Sequence, residues 1–351
     1  MESDGKRSSL TKSRPNGIIG TLSEHIRKYL IVYTLLSVSV AIPVGYYTRQ
    51  FTVINKGLFS DLVILFAIMT IYPSMIQLKT EGFAKELRSW KPIVVSLVYV
   101  FALSPLIAFI IGPTMGTSIG TGFVVSNIVP ASSASLGYVL IAGGSIELAT
   151  ALAIVSLVVS IPAIPLILGL YSSQASTSIP VEPIMMSVVY ILILPLIAGQ
   201  ITRYLLIRWR GAVTVNKTSR KYLSLTTMMS MLALIFVLVD KEASVIISMP
   251  QIVGYLIGYQ SAIILGILAL SILVSRLMHF SYEDHQAIAF ISVTKNQSVA
   301  AVIAVFALNP AAALAPAVIP MIQPVLAIVY IHLEKGIKKL FTFSPVLRHT
   351  P

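Results

Sequence analysis

The sequence has no cysteine, which excludes disulfides, a thiolate metal site and a cysteine nucleophile in any compartment. Charge is also scarce. Only 11% of the 351 residues are Asp, Glu, Lys or Arg, against about 25% in a water-soluble domain. Acidic residues are the scarcer sign, 13 against 25 basic ones, for a net charge of +12. The absence of a Walker sequence argues against an ATP-driven pump within the chain, and no cofactor is expected. Against these shortages stand 56% apolar side chains and a mean hydropathy of +0.89. Ten spanning helices of about 20 residues would use about 200 positions, close to the apolar content, so the chain reads as an all-α polytopic membrane protein.

Charge-free runs mark the spans at 29–48, 62–78, 92–146, 148–181, 183–202, 222–239, 243–275 and 296–333. The run from 92 divides at the glycine-rich turn between Gly112 and Gly120, and Gly143 with Gly144 ends its second helix. A span over 284–308 is separated from 311–333 by Asn309 and Pro310, which completes ten helices. With the N-terminus inside, 21 of the 25 basic residues fall in cytoplasmic segments, three fall outside (Arg49, Lys56, Lys241), and Lys295 lies within the membrane. That asymmetry places both termini in the cytoplasm of a plasma-membrane protein, and it accounts for the basic charge without nucleic acid.

The expected organisation is a basic cytoplasmic tail over 1–28, a first five-helix repeat over 29–171, an external linker over 172–180, a second repeat over 181–335 and a cytoplasmic tail over 336–351. Five spans per half force the halves to insert in opposite directions, the architecture of an inverted-repeat secondary transporter.

Polar interruptions occur in the fourth helix of each half. Span four carries Ser126, Asn127, Pro130, Ser132, Ser133 and Ser135; span nine carries Ser292, Thr294, Lys295, Asn296, Gln297 and Ser298. Lipid-exposed unwound backbone is forbidden, so paired interruptions imply a crossover where half-helix ends meet a solute. Asn127, Pro130, Ser132, Ser133, Ser135, Thr294, Lys295, Asn296, Gln297 and Ser298 are therefore candidate solute-binding residues. Pro162 with Pro165, and Pro316 with Pro320 and Pro324, are expected to kink spans five and ten. The segment from His279 to His285 has metal-ligand residue types at spacings that fit no standard site, and an N-cap by Asp284 or a neighbour is expected there.

Lys295 carries most information, because a lysine at a helix centre costs about 2.5–3.5 kcal/mol on insertion scales. Three readings stand side by side: a proton carrier or partner of an anionic solute, a fixed substitute for a bound cation that donates to unwound carbonyls, and a snorkelling side chain.

These residues resemble the bile acid/arsenite/riboflavin transporter superfamily and, within it, the arsenite efflux permeases. Ile71, Tyr72, Pro73, Ser74 and Met75, followed by Lys79, Thr80 and Glu81, are similar to that family's ending of helix two. Asn296 with the stretch from Ala300 to Phe306, and Pro320 through Leu326, are similar to its ninth and tenth helices, and the latter match adds Gln323 to the candidate site. The resemblance implies an antiporter that exports arsenite by proton exchange; the proton-coupling candidate here, Lys295, comes from its own mid-span position and falls on an asparagine of the family. The signature cysteine of the permeases falls on Ala131 and their ninth-helix glutamate on Ser298, so arsenite would be bound as an uncharged triol by hydroxyl and amide groups. Span four also aligns with the sodium/bile acid branch, whose sodium ligands fall on Leu136, Ile291 and Lys295. The alternative that follows is a sodium-independent transporter or exchanger of a small organic anion paired to Lys295. A non-transporting membrane sensor is the remaining class, and no metal is expected.

Overall fold

The computed structural model describes residues 18–78, 89–174 and 181–341. The Lys79, Thr80 and Glu81 motif, most of the expected linker and the outer parts of both tails lie outside the described residues. Within them the regular elements are helices: α1 (Ile18–Lys28), α2 (Leu30–Tyr47), α3 (Arg49–Ile54), α4 (Lys56–Gln77), α5 (Trp90–Met115), α6 (Thr117–Ile128), α7 (Ala134–Ile141), α8 (Ile146–Gln174), α9 (Glu182–Arg210), α10 (Arg220–Ser248), α11 (Pro250–Leu277), α12 (Tyr282–Val293), α13 (Gln297–Ala307), α14 (Ala311–His332) and α15 (Glu334–Phe341). Seven of them, α4, α5, α8, α9, α10, α11 and α14, are each long and apolar enough to cross a bilayer, and α1 with α2 forms a bent pair that passes the same test. The chain is thus a multi-pass membrane protein. Outward-facing Ile110, Leu166, Leu170 and Leu273 are exposed, a burden in water but neutral against hydrocarbon.

The helices associate in two groups. In the first, α10 packs along α2 and α4, and α9 packs along α4; the second contains α5 to α8 and α11 to α14, and α13 meets α4 and α9 where the groups join. Backbones approach closely where glycine allows it. A Cβ at Gly45 would collide with the Asp240 carbonyl between α2 and α10, and one at Gly122 with the Ala312 carbonyl between α6 and α14. Small residues give this proximity in membranes, where dispersion replaces the hydrophobic effect as the force between helices.

Several boundaries differ from the expectation. Ile18–Lys28 is helical and packs on α10, although its charges suggested a tail, because its apolar residues recur on one face. Asp240, Lys241 and Glu242 do not form an external loop: α10 runs through them to Ser248, and Met249 alone links it to Pro250. Two carboxylates therefore lie buried in a spanning helix, and Thr52 donates to Asp240 Oδ2 at 3.4 Å. Pro162, Pro165, Pro320 and Pro324 sit inside helices that continue past them. Asn309 does separate the last two segments, its Oδ1 accepting from Ala312 N at 3.1 Å.

Candidate functional site

Helix α6 stops at Ile128 because Pro130 has no N–H to donate to the next turn, and Val129 is extended at φ −71°, ψ 156°. Helix α12 stops at Val293, with Thr294 at φ −96°, ψ 92° and Asn296 at φ −81°, ψ 86° before α13 begins. The two unwound segments lie antiparallel, with Ala131 opposite Lys295. Ser132 N donates to Thr294 O and Asn296 N donates to Pro130 O, both at 2.8 Å. Each broken helix thereby satisfies groups that the other leaves open, as buried backbone requires.

Three side chains complete the accounting. The Gln323 carboxamide on α14 accepts from Lys295 N at 3.2 Å and donates to Lys295 O at 3.1 Å. Gln297 Nε2 donates to Ser126 O at 3.1 Å. Ser156 Oγ on α8 receives Ala131 N at 3.3 Å. Ser126 Oγ and Gln297 Oε1, on the two residues joined by the bond from Gln297 to Ser126, are buried with no hydrogen-bond partner, which buried polar atoms rarely are.

Lys295 is 2% exposed. Its Nζ donates to Val100 O at 2.9 Å and lies 6.0 Å from the Phe101 ring centre. Val100 belongs to a π-turn of α5, Tyr99–Leu103, where the hydrogen-bond register slips by one residue; such bulges gather at functional sites. No ion pair to Lys295 occurs among the described residues. A side chain this enclosed does not snorkel, and the snorkelling reading is corrected: the four-carbon stem ends on an internal carbonyl.

Apart from Asn127, the candidate residues separate into a buried rear and an open side. Asn127 points away from the crossover into a buried network, donating to Phe123 O at 2.9 Å and Gln260 Oε1 at 3.0 Å while accepting from Ser104 Oγ at 2.9 Å. Lys295, Gln297 and Gln323 form the rear of the crossover, and Thr294 and Ser298 are buried with them. Ser135 donates to the Ser132 carbonyl. On the open side, Ser133 is exposed and Ser132 and Asn296 are half-buried. Ser133 Oγ stands 3.1 Å from Ser74 Oγ, which links the crossover to α4 across the junction of the two groups.

Sequence reasoning missed Ser74 as a site residue, although it lies in the helix-two motif, and missed Ser104, Ser156 and Gln260. Val100 contributes only a carbonyl, which no residue type signals. A cavity of about 460 Å³ lies apart from the crossover, between α4, α9 and α13, lined by Ile64, Ile68, Tyr72, Tyr190, Leu194 and Phe306 among others. Its Tyr72 hydroxyl is 2.8 Å from Thr202 Oγ1. The expected cap near Asp284 is present, with Ser281 as the capping residue: its Oγ accepts from Asp284 N at 3.0 Å.

Among the described residues the protein is helical and multi-pass, with two broken helices hydrogen-bonded across one another, an arrangement that fits a membrane transport protein. Its sequence matches the model of the Sodium Bile acid symporter family over residues 62–249, more than half of the chain, and the chain belongs to that family. The match runs from within α4 to the end of α10 and includes the first unwound segment. No curated protein matches the chain. The members of the family are transporters of small solutes and not enzymes.

Proposed function

We propose that the chain is a sodium-independent secondary transporter of a small organic anion, with ten crossings in two inverted five-helix repeats and its solute site on the open side of the crossover. Counting α2, from which α1 bends away, and the interrupted pairs α6 with α7 and α12 with α13 as three crossings beside the seven continuous ones supports ten. The repeats, 29–171 and 181–335, each carry a broken fourth helix. Both termini are assigned to the cytoplasm of the plasma membrane on the distribution of Lys and Arg.

The observation that carries the coupling assignment is the 2.9 Å bond from Lys295 Nζ to Val100 O. A covalently attached ammonium beside the crossover occupies the carbonyl of the α5 π-turn, where a free cation would be drawn, and it cannot leave. It repels sodium and supplies a fixed positive field to the crossover, which favours an anion. Ser132, Ser133 and Asn296 offer donors on the accessible side, with the buried Ser74 behind Ser133. The same hydroxyl and amide groups support a second reading, efflux of uncharged arsenite by proton exchange with Lys295 as carrier.

Purified protein in liposomes distinguishes these readings. A panel of small carboxylates, sulfonates and arsenite is screened by thermal shift, and flux of any stabilising solute is followed with sodium replaced by potassium or choline at constant pH. Unchanged anion flux supports the first reading. Steep sodium dependence overturns it, and arsenite flux driven by a pH gradient favours the second.

A further inference from the structure

Helix α14 turns at Leu333 into α15, whose residues divide into an apolar and a basic face. Ile337 and Phe341 are buried, whereas Lys335, Lys338 and Lys339 are exposed. The Phe341 ring stacks on the His285 imidazole with centroids 4.7 Å apart, and it meets Tyr282 edge-on at 6.1 Å. Lys338 Nζ lies 5.4 Å from the Tyr282 ring centre.

What lies beneath α15 reaches both broken helices. His285 is fully buried; its Nδ1 is 3.1 Å from Ser275 Oγ on α11 and its Nε2 is 2.8 Å from the Tyr330 hydroxyl on α14. The Tyr330 ring meets Phe290 at 5.7 Å, and Phe290 meets Tyr138 on α7 at 5.8 Å. Tyr282 Oη donates to Ala142 O at 3.0 Å, and Ser145 N donates to Glu283 O at 2.9 Å. The far ends of α7 and α12, one half-helix from each broken pair, are therefore stapled together under the residues that receive Phe341.

Only Leu333 separates α15 from a spanning helix, so its lysines lie at headgroup depth. Three exposed ammonium groups, with Glu334 as the sole carboxylate on the helix, match a surface of negative charge. We propose that α15 is a docking surface for anionic phospholipid headgroups, and that the lipid, by holding Ile337 and Phe341 in place, clamps the staple between α7 and α12. The assignment is independent of the solute and of the coupling ion.

Hydrogen exchange on the full chain in nanodiscs tests it, comparing phosphatidylcholine alone with a mixture containing phosphatidylglycerol. Anionic lipid is expected to slow exchange several-fold in α15, α7 and α12, and high salt to reverse the effect. The combined Lys335→Gln, Lys338→Gln, Lys339→Gln variant should keep the wild-type Tm in phosphatidylcholine and lose the lipid response, and arginine at the three positions should retain it. Slowed exchange that persists in the glutamine variant would overturn the docking surface. Slowing confined to α15, with α7 and α12 unchanged, would overturn the clamp.

Discussion

Gln323 engages both backbone groups of Lys295, accepting from its N–H at 3.2 Å and donating to its carbonyl at 3.1 Å. One side chain on α14 thus serves as a short third strand beside the two unwound segments. Gln323→Leu keeps a similar volume but leaves a buried donor and a buried acceptor unmet, each costing about 1–3 kcal/mol. A marked fall in Tm in detergent is expected, and a Tm equal to wild type would show that the crossover is satisfied by other groups.

Lys295→Ala removes the ammonium and leaves Val100 O without its donor. The variant should be less stable than wild type in choline medium, and sodium or potassium should restore part of the lost Tm by entering the vacated position. Wild-type Tm should not respond to the same ions. A variant indifferent to every monovalent cation would contradict the view of Nζ as a cation substitute.

Because the chain lacks cysteine, single introduced thiols report sidedness without background. Gly211→Cys, between α9 and α10, should react with an impermeant maleimide only from the cytoplasmic side, and Met249→Cys, between α10 and α11, only from outside. Labelling of both from one side would mean that α10 does not cross, and the inverted-repeat topology would fall.

Gly122→Val places atoms against the Ala312 carbonyl and should destabilise the protein by about 1–3 kcal/mol or more, as overpacking does. Gly169→Ala is the matched control, since nothing lies within 4 Å of an added Cβ there and alanine is the better helix former. Equal Tm losses for the two substitutions would show that the α6 and α14 backbones are farther apart than described.

The broken helices were legible because Pro130 and Lys295 are chemically improbable in the middle of a span, and the cost of each is visible in one dimension. Asn309 was legible for a related reason, as a polar residue beside a proline between two apolar runs. How the interruptions are satisfied was not legible: Ser132 N to Thr294 O and Lys295 Nζ to Val100 O are contacts to backbone, which every residue supplies equally. The direction of Asn127 was not legible, because polarity at mid-span does not state which way a side chain points, and the helical phase turns it toward Gln260. The end of α10 was misjudged for the opposite reason. Asp240 and Glu242 look like loop residues, yet the helix continues through them and buries both.

The pairing of residues 130–132 with 294–296 also bears on how the chain is made. Each segment depends for its backbone partners on a stretch from the other half of the sequence, and an unmet backbone group in hydrocarbon costs several kcal/mol. When α6 and α7 leave the translocon, Asn296 has not yet been synthesised, so Pro130 O and Ser132 N have no protein partner at membrane depth. The first half must therefore wait, hydrated or held by the insertion machinery, until α12 arrives. A ribosome stalled before α12 should leave the first half exposed to membrane proteases, and release into the bilayer should become efficient only once residues 294–296 have emerged.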